Sequence, residues 1–443
     1  MPDRLSSLDA SFFYAEQPNT PLQVGQVAVF RPERGRFSYQ KFVELITERV
    51  IRVPRFQQKL REVPLRLSHP VWVEDTHFDA GYHVRRLGLP RPGNDSQLHE
   101  LAARLLARPL DRERPLWELY FVEGLTDKRI AVITKTHAAL VDGVGMDVAQ
   151  ALFEEQPILN IAPSYGEPST RELVTDALVQ LWHRPSQLWQ LARAQGARAS
   201  ASHLANALST AARPAPDLPL NANVGPHRRL ALTQVDLEHL RQLRKRHGGS
   251  VNDVVLAVLT GTLRSWLSSH GAAPPAGGIV RALVPVSMRT SEGDTVSARL
   301  VDLPVGEANP ILRLQHIVHT MAGHKETGQS VGADALVRLS GFAVPTLHAL
   351  GARVASTMSR RLFNVMITNV PGPQKPLFAG GAQLDQVFPV MPLAQGQGLA
   401  IGVSSYNGTA FFGFHADREA LADVQDLATM TQESLQELKG AAR

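Results

Sequence analysis

Along residues 22–30 the apolar side chains fall at every second position (Leu22, Val24, then Val27 and Val29 after a slip at Gly25-Gln26), which predicts a half-buried strand. Ser38 follows as an N-cap residue, and Phe42, Val43, Leu45, Ile46 and Ile51 repeat at helical spacing behind it. A second strand is predicted over 130–136. It runs into Thr136-His137-Ala138-Ala139-Leu140-Val141-Asp142-Gly143, after which Val144, Val148, Ala149, Leu152 and Phe153 return to the helical period. The polar segment is therefore read as a strand-to-helix turn. In the second half Ser250 and Asp253 open a helix in the manner of a capping box; it carries Val254, Val255, Val258, Leu259, Leu263 and Leu267 and stops at Gly271. Strands are expected over 278–286 and 362–370. A hairpin is expected over 399–405 and 409–415, turned at Asn407-Gly408, the dipeptide that favours a type I′ turn. A last amphipathic helix is expected from near Asp417.

Between the two α/β stretches, residues 160–228 show no strand pattern. Leu173, Val174, Ala177, Leu178, Leu181 and Trp182 predict one amphipathic helix, broken at Pro185, and Leu188, Trp189, Leu191 and Ala192 a second. A chain of 443 residues is long enough for two domains of ordinary size. The expected division is an N-terminal unit over 1–159, a helical connector over 160–228 and a C-terminal unit over 229–443, in fold class α/β. Residues 171–213 hold five arginines and two acids, net +3 of the chain's +5. Two readings of the connector follow: helices packed across the domains, or a surface helix resting on anionic lipid.

Composition narrows the chemistry. There are no cysteines, so thiol nucleophiles, disulfides and Cys-ligated metals are excluded, and His, carboxylate, hydroxyl or amide groups must carry any reaction. Lys plus Arg number 46 against 41 Asp plus Glu, a mild basic excess that suits an anionic ligand or lipid surface and is too small to suggest nucleic acid. No apolar signal-peptide core follows Met1, so a cytoplasmic location is expected. Residues 386–416 form a run of 31 without Asp, Glu, Lys or Arg. Pro389, Pro392, Asn407 and five glycines interrupt it, so buried strands are expected rather than a membrane-spanning helix. A dinucleotide loop, a Walker loop and a persuasive metal-ligand set are all missing from the sequence.

The constellation of His137 at a strand end and Asp142-Gly143 at the next helix start resembles the His-His-x-x-x-Asp-Gly motif of acyltransferases with the chloramphenicol-acetyltransferase-like fold. Pro115-Leu116-Trp117, Asn252-Asp253-Val254-Val255-Leu256-Ala257 and Asn369-Val370-Pro371-Gly372-Pro373 narrow the resemblance to the bacterial wax ester synthase/diacylglycerol acyltransferase family. Leu8-Asp9-Ala10-Ser11-Phe12 and Pro21-Leu22-Gln23-Val24-Gly25 look like its opening. The resemblance spans nearly the whole chain. It implies two acyltransferase-like domains, each a mixed sheet with helices, with the active site in a channel between them. It also implies transfer of a long-chain acyl group from acyl-CoA, as substrate, to diacylglycerol or a fatty alcohol at a peripheral membrane or lipid-droplet surface, with no cofactor, metal or nucleic acid.

One position departs from the family pattern. The second histidine of the pair, taken in the family as general base, falls where this sequence has Ala138, and the first is His137. A methyl group cannot accept the acceptor alcohol's proton. His137 is expected to face away from the direction that position 138 addresses, because successive strand side chains alternate. Two origins of Ala138 stand open, deliberate inactivation for substrate trapping or natural divergence. Asp142 is expected to orient the loop and Gly143 to permit close backbone approach. Asn252 and Asp253 are candidates to line the site although both also cap a helix, Ser404 and Ser405 are candidate oxyanion donors, and Pro115, Leu116 and Trp117 candidate channel wall. Alternatives to the impaired acyltransferase are a non-catalytic lipid-binding or droplet-associated protein of the same fold, and an acyltransferase using polyketide or peptidyl acceptors.

Overall fold

The computed structural model describes residues 3–32, 37–51, 53–64, 67–140, 172–173, 175, 214–290, 293–326 and 362–441. Helix α1 (Ser7–Ala15) leads into β1 (Gln23–Pro32) and α2 (Tyr39–Ile51), and a short antiparallel pair follows, β2 (Gln58–Arg61) with β3 (Val71–Glu74). Then come α3 (Ala80–His83), β4 (Val84–Gly88), α4 (Asp95–Ala107), β5 (Trp117–Glu123) and β6 (Ile130–His137). The second half supplies β7 (Arg228–Asp236), α5 (Leu237–His247), α6 (Val251–Ser269), β8 (Val280–Thr290), β9 (Gly293–Leu303) and α7 (Pro310–Glu326). It ends with β10 (Val365–Pro371), β11 (Phe378–Ala379), β12 (Ala382–Val390), β13 (Leu399–Tyr406), β14 (Thr409–Asp417) and α8 (Gln425–Ala441).

These strands form two six-stranded mixed sheets, in the orders β11-β12-β1-β6-β5-β4 and β7-β14-β13-β10-β8-β9. The first sheet is completed by residues 378–390, which the sequence placed in the C-terminal unit; β12 pairs antiparallel with β1. Each sheet has its own core. Phe30, Phe42, Phe121 and Ile133 are among the buried residues of the first, and Val258, Leu263, Ile367, Ile401 and Phe414 of the second. Helix α6 is buried without a break from Asp253 to Leu263, which is why its sequence is apolar all round rather than on one stripe.

The hairpin of β13 and β14 turns at Asn407 and Gly408 with φ of 44° and 82°, the two left-handed residues that a type I′ turn demands. The uncharged run 386–416 falls mainly on β12, β13 and β14, and no helix among the described residues is long and apolar enough to cross a membrane. Ser250 and Asp253 do form a capping box on α6. The final helix begins at Gln425, later than the expected start near Asp417. Asp417 instead closes β14: its carboxylate accepts the N–H groups of Gly225, Glu419 and Ala420 at 2.8–3.0 Å.

The two sheets meet where β12 crosses β13 and β14. A Cβ on Gly402 would lie 3.0 Å from the Pro389 carbonyl oxygen, and one on Gly413 only 2.0 Å, so glycine at both positions lets the backbones touch. The helix expected after Asp142 lies outside the described residues, as does the connector apart from residues 172–173, 175 and 214–228. Of the connector, Leu173 is buried against Val71 and Val73 of β3.

Candidate active site

Strand β6 is clamped on both sides up to its last residue and one beyond. The His137 N–H donates to Leu116 O at 3.0 Å on the β5 side, and the Ala138 N–H to Leu22 O at 2.9 Å on the β1 side. The strand ends at His137, and Ala138 opens the turn that the Leu140 N–H closes on His137 O at 2.9 Å. His137 is 2% exposed, whereas Ala138 is half-buried.

The His137 ring is committed to the fold. Its Nδ1 accepts the Ala139 N–H at 3.0 Å, so the neutral ring carries its proton on Nε2. That nitrogen lies 3.8 Å from Glu16 Oε1, beyond hydrogen-bond length, and the Phe13 ring packs edge-on with centroids 6.1 Å apart. Glu16 is itself anchored: Oε1 accepts the Leu22 N–H at 3.2 Å and Oε2 the Arg112 guanidinium at 2.5 Å. Burial alone would raise the Glu16 pKa, but the Nε2–H side of His137 and the Arg112 guanidinium, both turned to the carboxylate, outweigh it and hold the carboxyl at about 2. Arg112 also lies 4.2 Å over the Phe13 ring. The one lone pair with which His137 would take a proton is thus occupied, and its ring is enclosed.

Glu16 and Arg112 were not singled out in the sequence. The available signal was an acid and an arginine set next to motif segments, Glu16 just after Leu8 to Phe12 and Arg112 just before Pro115.

The other expected site residues fall into two groups. Leu116 and Trp117 sit beside the β6 end as core side chains: Leu116 packs with Phe13 and Ala139, and the Trp117 Nε1–H donates to Phe56 O at 2.7 Å while its ring stacks on His83. Pro115 is buried next to them. Asn252, Asp253, Ser404 and Ser405 gather instead around a cavity of the second sheet. There the Asn369 Nδ2 donates to Asn252 Oδ1 at 2.9 Å, joining the Asn-Asp and Asn-Val-Pro-Gly-Pro segments. Ser404 spends its only proton on Val387 O at 3.2 Å, and Asp253 accepts the Ser250 N–H at 2.7 Å to cap α6. No hydrogen bond or ion pair links the two groups among the described residues. Asp142 and Gly143 lie outside those residues. Among the described residues, no three His, Asp or Glu side chains gather as metal ligands would.

Residues 5–255 match the model of the wax ester synthase/diacylglycerol acyltransferase catalytic domain, and residues 292–439 that of the WS/DGAT C-terminal domain. A Mycobacterium tuberculosis protein named as a probable diacylglycerol O-acyltransferase is 33% identical, covering 99% of each chain. The wax ester synthase/diacylglycerol acyltransferase from Marinobacter aquaeolei superimposes with a TM-score of 0.73 at 28% identity, over 99% of both chains. The first condensation domain of the CDA synthetase shares the fold, with a TM-score of 0.64 at 14% identity over 100% of this chain and 96% of that one. The chain belongs to the wax ester synthase/diacylglycerol acyltransferase family.

Proposed function

We propose that this chain is an acyl-CoA-dependent O-acyltransferase of triacylglycerol and wax ester synthesis whose proton-accepting position is filled by Ala138, leaving the transfer step impaired. In that reaction the acceptor hydroxyl oxygen attacks the thioester carbonyl, the tetrahedral oxyanion collapses, and CoA leaves as the thiolate. The hydroxyl proton must pass to a base and on to the departing sulfur. The observation that carries the reading is the state of His137: buried, its Nδ1 lone pair taken by the Ala139 N–H. It is a positioning residue for the turn and no substitute for a base at 138. Asp142 is assigned the orientation of the same turn, and Gly143 its close backbone approach.

The missing base also favours a second reading, a lipid-binding protein that uses the fold without turnover. Incubation with long-chain acyl-CoA and either dioleoylglycerol or hexadecanol, followed by lipid extraction and mass spectrometry, tests both. Impaired transfer predicts bound, unconverted lipid with slow ester formation. Rapid ester formation would overturn the assignment of position 138.

Peripheral attachment to a membrane or lipid droplet belongs to the same proposal. Residues 171–213 supply net +3 with Trp182 and Trp189, a pattern suited to an anionic interface. At about 1 kcal/mol per basic residue near such a surface, replacing Arg184, Arg193 and Arg198 with Gln should markedly lower co-sedimentation with anionic vesicles at low salt. Equal sedimentation of both proteins at every salt concentration would remove the connector from that role.

A further inference from the structure

Between α6 and the second sheet lies a cavity of about 390 Å³, inside the range of roughly 300–1,000 Å³ that small-molecule sites occupy. Much of its wall is apolar: Leu237 and Leu240 of α5, Val255 of α6, Val284 of β8, Met321 of α7 and Val403 of β13. Arg299 of β9, cross-strand partner of Val284, is the cation among the lining residues. It is 8% exposed, and its Nε is enclosed with no hydrogen-bond acceptor. Among the described residues it has no carboxylate partner. Asp253, also on the wall, directs Oδ2 to the Ser250 N–H instead.

An arginine cannot shed its charge, and a guanidinium largely withdrawn from bulk water without a carboxylate beside it is unfavourable. An anion admitted to the cavity would supply that partner. We infer that this cavity binds a molecule with an apolar stem and a single carboxylate, the carboxylate held in the Arg299 fork and the stem against the aliphatic wall. One guanidinium balances one negative charge, whereas a nucleotide phosphate would bring several with no second Lys or Arg among the lining residues. A neutral diacylglycerol or alcohol would leave the charge unmet. The inference requires no acyl transfer and stands apart from the proposed reaction.

The test is calorimetric titration of the full chain with dodecanoate, dodecan-1-ol and adenosine 3′,5′-bisphosphate, repeated on Arg299→Leu and on Val403→Trp, which fills the cavity. Dodecanoate should bind the unmodified chain at least about ten-fold more tightly than either variant, and dodecan-1-ol should not distinguish it from Arg299→Leu. Because leucine removes an unmet charge, ligand-free Arg299→Leu should melt no lower than the unmodified chain. Equal dodecanoate affinity for the unmodified chain and Arg299→Leu, or a lower melting temperature of that variant without ligand, would overturn the assignment. So would binding of the bisphosphate that depends on Arg299 when binding of dodecanoate does not.

Discussion

Replacing Gly413 with Ala should part the two sheets where they touch. The new Cβ would sit 2.0 Å from the Pro389 carbonyl oxygen and 3.2 Å from its carbon, and ordinary contact begins at 3.4 Å. Neither neighbour is a flexible side-chain tip. Pro389 lies on β12, which is bonded to β1 from Gly25 to Pro32, and Gly413 lies on β14 between β13 and β7. Relief of the clash therefore requires one sheet to move against the other. Overpacking a tight interior costs about 1–3 kcal/mol, and a backbone-to-backbone clash belongs at the upper end, about 3 kcal/mol. Gly88→Ala is the matched control, since nothing among the described atoms lies within 4 Å of its added Cβ and its φ is ordinary. Urea unfolding followed by tryptophan fluorescence should give a clearly lower midpoint for Gly413→Ala and a shift of no more than about 0.5 kcal/mol for Gly88→Ala. Equal midpoints for Gly413→Ala and the unmodified chain would refute the claim that backbone contact at Pro389 sets the seating of the sheets.

Two further perturbations test buried charge and titration. Burial, with Arg228 adding to it, pushes the His415 pKa down to about 4 although its ring lies 2.7 Å from Met391 O. The unfolded chain therefore binds this proton first, and stability is complete above about pH 6.5 and falls by about 3 kcal/mol as pH drops towards 4; urea midpoints at pH 7 and 4.5 should differ less for His415→Asn, and equal differences would dismiss the effect. Lys135, 1% exposed, has its pKa lowered by burial and is held by Glu118 at 3.2 Å, which also accepts the Tyr120 hydroxyl at 2.5 Å. Glu118→Gln should cost about 3–5 kcal/mol by leaving that ammonium unpaired, and adding Lys135→Met should recover most of it; a double variant no more stable than the single one would contradict the pairing.

Local patterns carried most of the element order. Asn407-Gly408 specified its turn through two residues that tolerate positive φ, and Ser250 with Asp253 specified the start of α6 through side-chain hydrogen bonds within one turn. Asp417 misled because an aspartate that caps a helix and one that closes a strand are alike in sequence. Besides the N–H groups of Glu419 and Ala420 just after it, its partners are Gly225 and Arg228 from a distant segment. The return of β12 to the first sheet left no local trace, since strand alternation does not name a partner. The same holds at the site. His137 was readable as a strand end, but its enclosure depends on Glu16, Phe13 and Arg112, brought together only by the fold. Arg299 shows no pattern at all, because its having no carboxylate partner among the described residues is a property of packing.

The most direct measurement is the rate of CoA release and ester formation from long-chain acyl-CoA with hexadecanol or dioleoylglycerol, compared between the unmodified chain and Ala138→His. A positioned base contributes about 10²- to 10⁴-fold. With His137 held by the Ala139 N–H in both proteins, Ala138→His should gain a factor in that range, with ester and CoA appearing in equal amounts. An unmodified chain as fast as Ala138→His would contradict the assignment of position 138 as the vacant base.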